Sequence, residues 1–230
     1  MSAVGLWLQV MPPLTAILDS LRSGHRAFLE ELQARFETVE PELHAFLPEA
    51  GRFERLHTEF GELEKRFPAA ESRPPLFGLP IGVKDIFRVD GFETRAGSRL
   101  PAAILAGQQA VSVSQLKQAG GLVLGKTVTT EFAFFAPGPT RNPHNPGHTP
   151  GGSSSGSAAA VSAGLAPTAL GTQTIGSINR PAAFCGVVGF KPSFGRISTQ
   201  GVIPLSASFD TVGFFTQEVE AARLMASILL

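Results

Sequence analysis

One stretch of the chain limits its possible folds more than any other: residues 132–209 contain no aspartate or glutamate. Small residues dominate it, and the glycine- and serine-rich residues 149–157 run directly into the alanine-rich residues 158–161. This pattern predicts a loop followed by a helix, which directs backbone N–H groups and the positive end of the helix toward one point suited to an anion or an oxyanion. A flexible linker is the alternative, although linkers are seldom flanked by apolar segments on both sides.

The overall composition argues against several classes of protein. The 230 residues include 19 basic and 19 acidic side chains, so the chain is formally neutral and lacks the strongly basic surface typical of a nucleic-acid binder. A hydrophobic content of 43% with 17% charged residues is enough for a buried core. The length fits one large domain or two small ones.

The cysteine content and the N-terminus bear on location. One cysteine, Cys185, excludes an internal disulfide framework and leaves too few thiolates for a structural zinc site. Cys185 lies in an apolar run, so we predict that it packs in the core. Because the chain has a single cysteine, we predict a reducing compartment, the cytoplasm. The apolar residues 4–11 lack a basic segment, meet Pro12-Pro13 and are too short to span a bilayer. We therefore predict neither a signal peptide nor membrane association.

The first 75 residues are predicted to form a helical segment that packs on the rest of the chain. They hold 12 of the 19 acids and 8 of the 19 bases, with apolar residues at helical spacing. One predicted helix ends at Pro41, and residues 52–67 form a second one. The apolar face of the first consists of Leu29, Leu32, Phe36 and Val39.

From residue 76 the pattern changes to that of an α/β core, which we assign to residues 76–230. The short apolar runs at residues 76–83 and 121–124 are typical of buried strands, and residues 109–119 between them favour a helix. Strand, helix, strand in that order predicts parallel pairing. Residues 218–230 are predicted to form another helix.

Residues 120–127 match the phosphate-binding pattern G-x-x-x-x-G-K-[ST]. That pattern needs a strand before the loop and a helix after it, because the amides of the loop must wrap a phosphate. Here the apolar residues 122–124 would themselves be the strand, and residues 128–130 are poor helix starters. We therefore do not predict nucleotide binding.

The five histidines support neither a Ser-His-Asp triad nor a metal site. His25, His44 and His57 lie in the amphipathic helices, and His144 and His148 lie among prolines. None has the apolar setting beside a buried carboxylate that a catalytic histidine needs. A third metal ligand is also missing near His144 and His148, which we interpret as surface-loop residues.

Lys84 follows a predicted strand, and strand ends are where open α/β sheets place their sites. A partly desolvated lysine there has its neutral form favoured and can act as a general base, whereas an ion pair with Asp85 or Asp90 is an equally consistent alternative. Residues 171–177 form a second glycine-rich turn, able to present consecutive N–H groups and the Ser177 hydroxyl to a substrate. Without a suitable histidine, Lys84 is the one candidate base for that serine.

Several motifs, in order along the chain, resemble those of the amidase signature family of serine hydrolases. The resemblance runs from about residue 75 to about residue 216. It implies an α/β fold with a mixed β-sheet flanked by helices. The motifs are Gly82-Val83-Lys84-Asp85, the tract at residues 151–158, residues 171–177 followed by Pro181-Ala182-Ala183-Phe184-Cys185-Gly186, residues 190–196, and Asp210-Thr211-Val212-Gly213.

The resemblance also implies a catalytic site that uses neither a metal nor a cofactor. It assigns Ser177 as the nucleophile, Ser153 as the bridge and Lys84 as the base, with the peptide bond between Gly152 and Ser153 in the cis form. Neutral Lys84 would accept a proton through Ser153 while Ser177 attacks an amide carbonyl and forms an acyl-enzyme. The oxyanion hole would consist of the backbone N–H groups of Thr174, Ile175, Gly176 and Ser177.

Some positions depart from the usual family pattern. Gln173 and Ile175 stand where aspartate and glycine are common, a variation that a subset of the family shares. The arginine usually found two residues after the nucleophile lies one position later, at Arg180. We consider Arg180 and Ser154 as candidate substrate-binding residues, although we expect Arg180 to pair with Asp210, because arginine binds carboxylates readily.

The length adds a further expectation. Family members usually run to roughly twice this length, so the resemblance implies a fold that is incomplete at its C-terminal side. It implies cleavage of the C–N bond of a small amide, with a glutaminase-type amidotransferase subunit or a truncated, catalytically silent interaction domain as alternatives. The expected partners are the amide substrate and either a second copy of the chain or another chain that supplies the missing half.

Overall fold

The computed structural model describes residues 7–8 and 10–230, so the apolar segment at residues 4–11 lies partly outside the described residues. Eight α-helices and five strands are found in the described part. The helices are α1 (Leu14–Arg22), α2 (Ala27–Leu43), α3 (Arg52–Arg66), α4 (Ala102–Leu105), α5 (Val111–Gln118), α6 (Ser155–Ser162), α7 (Asn179–Cys185) and α8 (Val219–Leu229). The strands are β1 (Pro80–Lys84), β2 (Leu122–Thr127), β3 (Thr168–Gln173), β4 (Val188–Phe190) and β5 (Thr211–Thr216).

The strands form one mixed sheet with the order β2-β1-β3-β5-β4. Strand β1 pairs in parallel with β2 and β3, and β5 pairs antiparallel with β3 and β4. The expected α/β fold with a mixed sheet and flanking helices is therefore confirmed. Parallel pairing brings the carboxyl ends of β1 and β3 to the same edge of the sheet, which is where such folds bind ligands.

The first predicted strand begins later than the sequence suggested. Residues 76–79 form a turn in which the Leu79 amide donates to the Leu76 carbonyl at 2.9 Å. Gly78 adopts a positive φ of 72°, a conformation that interrupts an extended strand. The phosphate-binding pattern is occupied by β2 itself, as expected from its apolar residues, and Lys126 lies in that strand.

The prediction that a helix ends at Pro41 is wrong, because α2 continues to Leu43. Pro41 lacks an N–H donor, but the last turn is still closed by the hydrogen bond from the His44 amide to the Glu40 carbonyl at 3.0 Å. His44 closes the helix in the left-handed conformation. The Glu40 carboxylate then accepts hydrogen bonds from the amides of Ala45 and Phe46, at 3.1 Å and 2.7 Å.

A single hydrophobic cluster joins the N-terminal helices to the sheet. It includes Leu21 from α1, Leu29 from α2 and Phe60 from α3 together with sheet residues such as Leu170. The C-terminal helix α8 contacts α1, α5, β4 and β5, and Leu229 is buried there. Among the described residues, no helix combines the length and the apolar character needed to cross a membrane.

Candidate active site

The Lys84 ammonium group lies at the edge where β1 and β3 end. The side chain is fully buried. Its Nζ donates hydrogen bonds to Ser153 Oγ at 2.8 Å and to Thr172 Oγ1 at 2.9 Å. The structure thus brings together Lys84 and Ser153, which lie 69 positions apart in the sequence.

Burial lowers the pKa of Lys84 to about 7, because desolvation disfavours the charged form. The negative charge of Asp210 acts in the opposite direction and raises this pKa. The alternative of an ion pair between Lys84 and Asp85 is wrong, since Asp85 binds Lys126 at 2.8 Å in a buried pair. Lys84 is therefore available as a neutral amine near neutral pH, as a general base must be.

The loop that carries Ser153 is hydrogen-bonded to β3. The Gly152–Ser153 peptide bond is cis, as expected from the family resemblance. Ser154 is fully buried, and its Oγ donates to the Thr172 carbonyl and accepts from the Thr172 amide, both at 3.3 Å. These contacts favour a structural role for Ser154 over contact with a substrate. The helix α6 follows directly, so the flexible-linker alternative for this tract is wrong.

The turn after β3 carries Ser177 and leaves four consecutive amides free. Ser177 is 9% exposed, and its carbonyl accepts from the Ser154 amide at 3.4 Å, so the two serine loops lie side by side. The amides of the four predicted oxyanion-hole residues, Thr174, Ile175, Gly176 and Ser177, donate no hydrogen bond within the described part of the chain. Adjacent unpaired N–H groups in a turn form a concave anion site. Such a site can stabilise an oxyanion.

The Gln173 side chain closes this turn. Its Oε1 accepts hydrogen bonds from the amides of Ile178 and Asn179, each at 2.9 Å. These are amides at the start of α7, which have no partner within the helix. An uncharged glutamine amide thus holds the position at which the family commonly has aspartate.

The prediction that Arg180 pairs with Asp210 is wrong. Asp210 accepts instead from Thr174 Oγ1 at 2.5 Å and from the amides of Leu205 and Ser206 at 2.8 Å and 3.0 Å. The Arg180 guanidinium is exposed beside Gly176 and makes no side-chain hydrogen bond or ion pair with a described residue. An unpaired cation therefore lies next to the free amides.

The remaining candidate nucleophile and bases lie outside this arrangement. Burial raises the pKa of the Cys185 thiol to about 12, and its Sγ donates to the Pro150 carbonyl at 3.4 Å, so Cys185 packs in the core as predicted. His144 and His148 are exposed, which confirms the surface-loop interpretation. His144 Nε2 lies 2.9 Å from the Cys185 carbonyl.

Two further residues of the candidate site were assigned no role in it from the sequence. Thr172 is the second acceptor for Lys84, and Asp210 joins Thr174 to the loop at residues 205–206. Both line a cavity of about 210 Å³ together with Ile86, Ala133 and residues 202–205. A signal for Asp210 was present, because it is the first acid after the acid-free stretch.

Comparisons with known proteins agree with this fold. Residues 27–230 match the sequence profile of the Amidase family, and the chain belongs to that family. It is 41% identical over 210 residues to a glutamyl-tRNA(Gln) amidotransferase subunit of Prochlorococcus marinus (strain MIT 9303), covering 88% of this chain and 43% of that protein. It is 40% identical over 218 residues to the AtzE subunit of 1-carboxybiuret hydrolase from Pseudomonas sp. (strain ADP), covering 90% of this chain and 47% of that protein.

The fold is also similar to that of solved amidases. Native peptide amidase from Stenotrophomonas maltophilia superposes with a TM-score of 0.82 at 34% identity, covering 93% of this chain and 46% of that chain. The chain thus spans less than half the length of these relatives. The residues that match the family profile, 27–230, include all the motifs described above.

Proposed function

We propose that this chain provides the nucleophile and the base for hydrolysis of the C–N bond of a small amide. The observation that carries the proposal is the buried Lys84 amine at 2.8 Å from Ser153 Oγ, because it pairs an amine that is neutral near pH 7 with a hydroxyl proton relay. Ser177 is the proposed nucleophile. No metal or cofactor takes part in the proposed steps.

The reaction begins when Ser177 Oγ attacks the amide carbonyl carbon. Its proton passes to Ser153 Oγ while the Ser153 proton passes to Lys84 Nζ, and a new C–O bond forms. The free amides of Ile175, Gly176 and Ser177 stabilise the negative charge on the carbonyl oxygen, with Thr174 at the start of the same turn.

Collapse of this intermediate breaks the C–N bond. The leaving nitrogen takes a proton from Ser153, which is restored from protonated Lys84. Water then attacks the acyl-enzyme ester, which releases the carboxylic acid and regenerates the Ser177 hydroxyl. Each proton that Lys84 accepts is therefore returned within one cycle.

Arg180 is the proposed binding group for a carboxylate on the substrate, because its guanidinium is exposed beside Gly176 and unpaired within the described residues. Replacement of Arg180 by leucine should reduce kcat/KM for a carboxylated amide much more than for a neutral amide of similar size. Equal losses on both substrates would contradict this role for Arg180.

A second candidate is the glutamine-hydrolysing subunit of an amidotransferase, which passes ammonia to partner proteins. The names of several curated relatives favour it, since they are amidotransferase subunits. Both candidates use the same serine and lysine. Co-purification with partner proteins and glutaminase activity that depends on them would favour the second candidate.

The partner of the proposed enzyme is either a second copy of the chain or another chain that completes the acyl pocket. The small fraction of the relatives' length that this chain spans motivates this part of the proposal. Size-exclusion chromatography with light scattering, with and without amide substrate, measures the assembly. A monomer that hydrolyses the amide as fast as any assembled form would argue against such a partner.

Covalent labelling tests the proposed nucleophile without knowledge of the substrate. A fluorophosphonate probe should label the wild-type chain at Ser177, as located by peptide mass spectrometry, and Ser177→Ala should abolish labelling while the far-UV circular dichroism stays the same. The matched control is Ser227→Ala on the exposed face of α8, which should label like the wild type. Absence of labelling in a well-folded chain would instead identify a catalytically silent domain.

A further inference from the structure

Asp210 is the one acidic side chain that joins the separate parts of the candidate site within the described residues. It directly precedes β5 and is 9% exposed. Its Oδ1 accepts from Thr174 Oγ1 at 2.5 Å, and its Oδ2 accepts from the amides of Leu205 and Ser206. These hydrogen bonds of the carboxylate thus come from two loops, and Leu205 of one of them lines the 210 Å³ cavity together with Asp210.

The hydrogen bond between Asp210 and Thr174 bears on the position of the free amides in the turn. Thr174 immediately precedes Ile175, Gly176 and Ser177, whose N–H groups are free like its own. A short hydrogen bond to an ionised acceptor is stronger than one between neutral groups. Asp210 thus fixes the first residue of the turn, and misplacement of a catalytic group by about 1 Å can cost on the order of a hundredfold in rate.

The charge of Asp210 acts on Lys84. Its field favours the protonated amine, against the effect of burial. The other charged groups near Lys84 on the β1–β2 side are Asp85 and Lys126, which neutralise each other in their buried ion pair. The neighbouring elements α6 and β3 contain no charged residue. Among the described residues, Asp210 is therefore the charged group whose field raises the pKa of Lys84. The exposed Arg180 is another unpaired charge near the site, within the part of the chain that the structure describes.

We infer that Asp210 is a positioning residue of the proposed reaction, which holds the free amides in place through Thr174 and stabilises the protonated Lys84 that forms when Ser177 loses its proton. The inference rests on the proposed function and adds to it a residue that does not contact the reacting atoms.

Two substitutions separate these two actions. Asp210→Asn removes the charge but keeps an oxygen for the amides of Leu205 and Ser206. Thr174→Val removes the hydrogen bond between Thr174 and Asp210 but leaves the charge of Asp210. Thr174→Ser keeps the hydroxyl and should therefore recover most of the labelling rate that Thr174→Val loses.

The first measurement is the rate of fluorophosphonate labelling at Ser177 as a function of pH. Asp210→Asn should move the acid limb to lower pH, because Lys84 loses a favourable interaction with a negative charge and its pKa falls. Thr174→Val should lower the plateau rate by on the order of tenfold to a hundredfold without moving the limb. A merely structural role would lower the rate without a shift. An unchanged limb in Asp210→Asn, or an unchanged plateau in Thr174→Val, overturns the inference.

The second measurement does not depend on catalysis. Carbon-13 NMR of labelled lysine, with the Lys84 signal assigned by its loss in Lys84→Met, gives the titration midpoint of this amine directly. A lower midpoint in Asp210→Asn than in the wild type supports the charge effect even where no labelling occurs, and an equal or higher midpoint overturns it. If Asp210→Asn does not fold, Asp210→Glu keeps the charge, so a midpoint that differs strongly from the wild type overturns the inference.

The two proposals can fail separately. An unlabelled wild type with a shifted NMR midpoint in Asp210→Asn contradicts the proposed function but not the electrostatic contact. A labelled wild type whose variants are unchanged in both measurements contradicts only the role of Asp210.

Discussion

Lys84 shows how its surroundings convert an ordinary side chain into a candidate base. A lysine in water is almost fully protonated at pH 7, whereas burial lowers the pKa of Lys84 to about 7 and leaves a large neutral fraction. The same hydroxyls that solvate the charged form, those of Ser153 and Thr172, are close enough to exchange protons with the neutral form. The nearby charges of Asp85 and Lys126 are paired with each other.

This lysine predicts a pH dependence for any chemistry at Ser177. The folded-state pKa is lowered to about 7, so the neutral form predominates above that pH and is lost as the pH falls through it. Ser177 labelling should therefore rise as the pH increases through about 7 and then level off. Lys84→Met should remove the labelling, and the exposed Lys117→Met should leave the profile unchanged. A flat profile across this range of pH would contradict the assignment of Lys84 as the base.

At the scale of elements, helix α6 is buried along its whole length. Its sequence is only Ser-Gly-Ser-Ala-Ala-Ala-Val-Ser. The Gly156 amide donates to the Val128 carbonyl at 2.9 Å, so the helix backbone lies directly on the chain that follows β2. The small side chains are needed because this approach leaves no space for larger ones.

Two helical glycines with opposite surroundings give a prediction for this packing. A Cβ at Gly156 would overlap the Ala45 carbonyl oxygen and lie 2.5 Å from the Val128 nitrogen, so Gly156→Ala should reduce the free energy of unfolding by about 1–3 kcal/mol or more. Gly61 in α3 has Arg26 Nη2 as its nearest neighbour at 3.6 Å, so Gly61→Ala should raise it by about 0.5–1 kcal/mol through helix propensity.

Urea denaturation of both variants measures these changes. Helix propensity alone would predict that both substitutions stabilise the protein. A stabilised Gly156→Ala variant would therefore show that the close packing of α6 is absent in solution.

At the scale of the whole molecule, the helices before residue 75 and the sheet share one hydrophobic cluster. Backbone amides at the N-terminal end are also tied to the C-terminal end, since Met11 donates to Gln217 Oε1 and Leu14 to Glu218 Oε1, both at 2.8 Å. Division of the chain at residue 75 remains a prediction from sequence. The shared core favours cooperative unfolding of the N-terminal helices and the sheet. If one part unfolds, the apolar surface that the other part buries against it becomes exposed to water.

The one tryptophan in the sequence makes this cooperativity measurable. Trp7 is 6% exposed and belongs to the shared cluster, and its carbonyl accepts a hydrogen bond from Arg35 Nη2 at 3.3 Å. Tryptophan fluorescence should therefore report the same urea midpoint as far-UV circular dichroism, which follows all the helices. Leu21→Ala in α1 should lower both midpoints together, with a cost of about 2–5 kcal/mol for a fully buried leucine. Two separated midpoints would show that the N-terminal part unfolds by itself.

The sequence predicted much of this architecture because its signals are local. Helix α3 was predicted to within one residue, and helix α5 followed from the apolar pattern between two strands. The strand boundary before Pro80 and the end of α2 were missed, since a turn with a positive φ at Gly78 and a cap formed by Glu40 set them, and the apolar pattern reports neither. The proposed catalytic residues were found from ordered motifs, whereas Asp210 was assigned the wrong partner.

The sequence by itself determined the family of this chain, because its ordered motifs are properties of short segments, and the resemblance to that family implied the mixed α/β fold and the candidate trio of Lys84, Ser153 and Ser177. The tertiary structure decided which groups those residues meet. It gave Lys84 two hydroxyl partners that are 69 and 88 positions away, left Arg180 unpaired within the described residues and placed Asp210 on Thr174. Strand order and loop packing set such long-range contacts, and no local pattern encodes the distance between two residues that the sheet brings together.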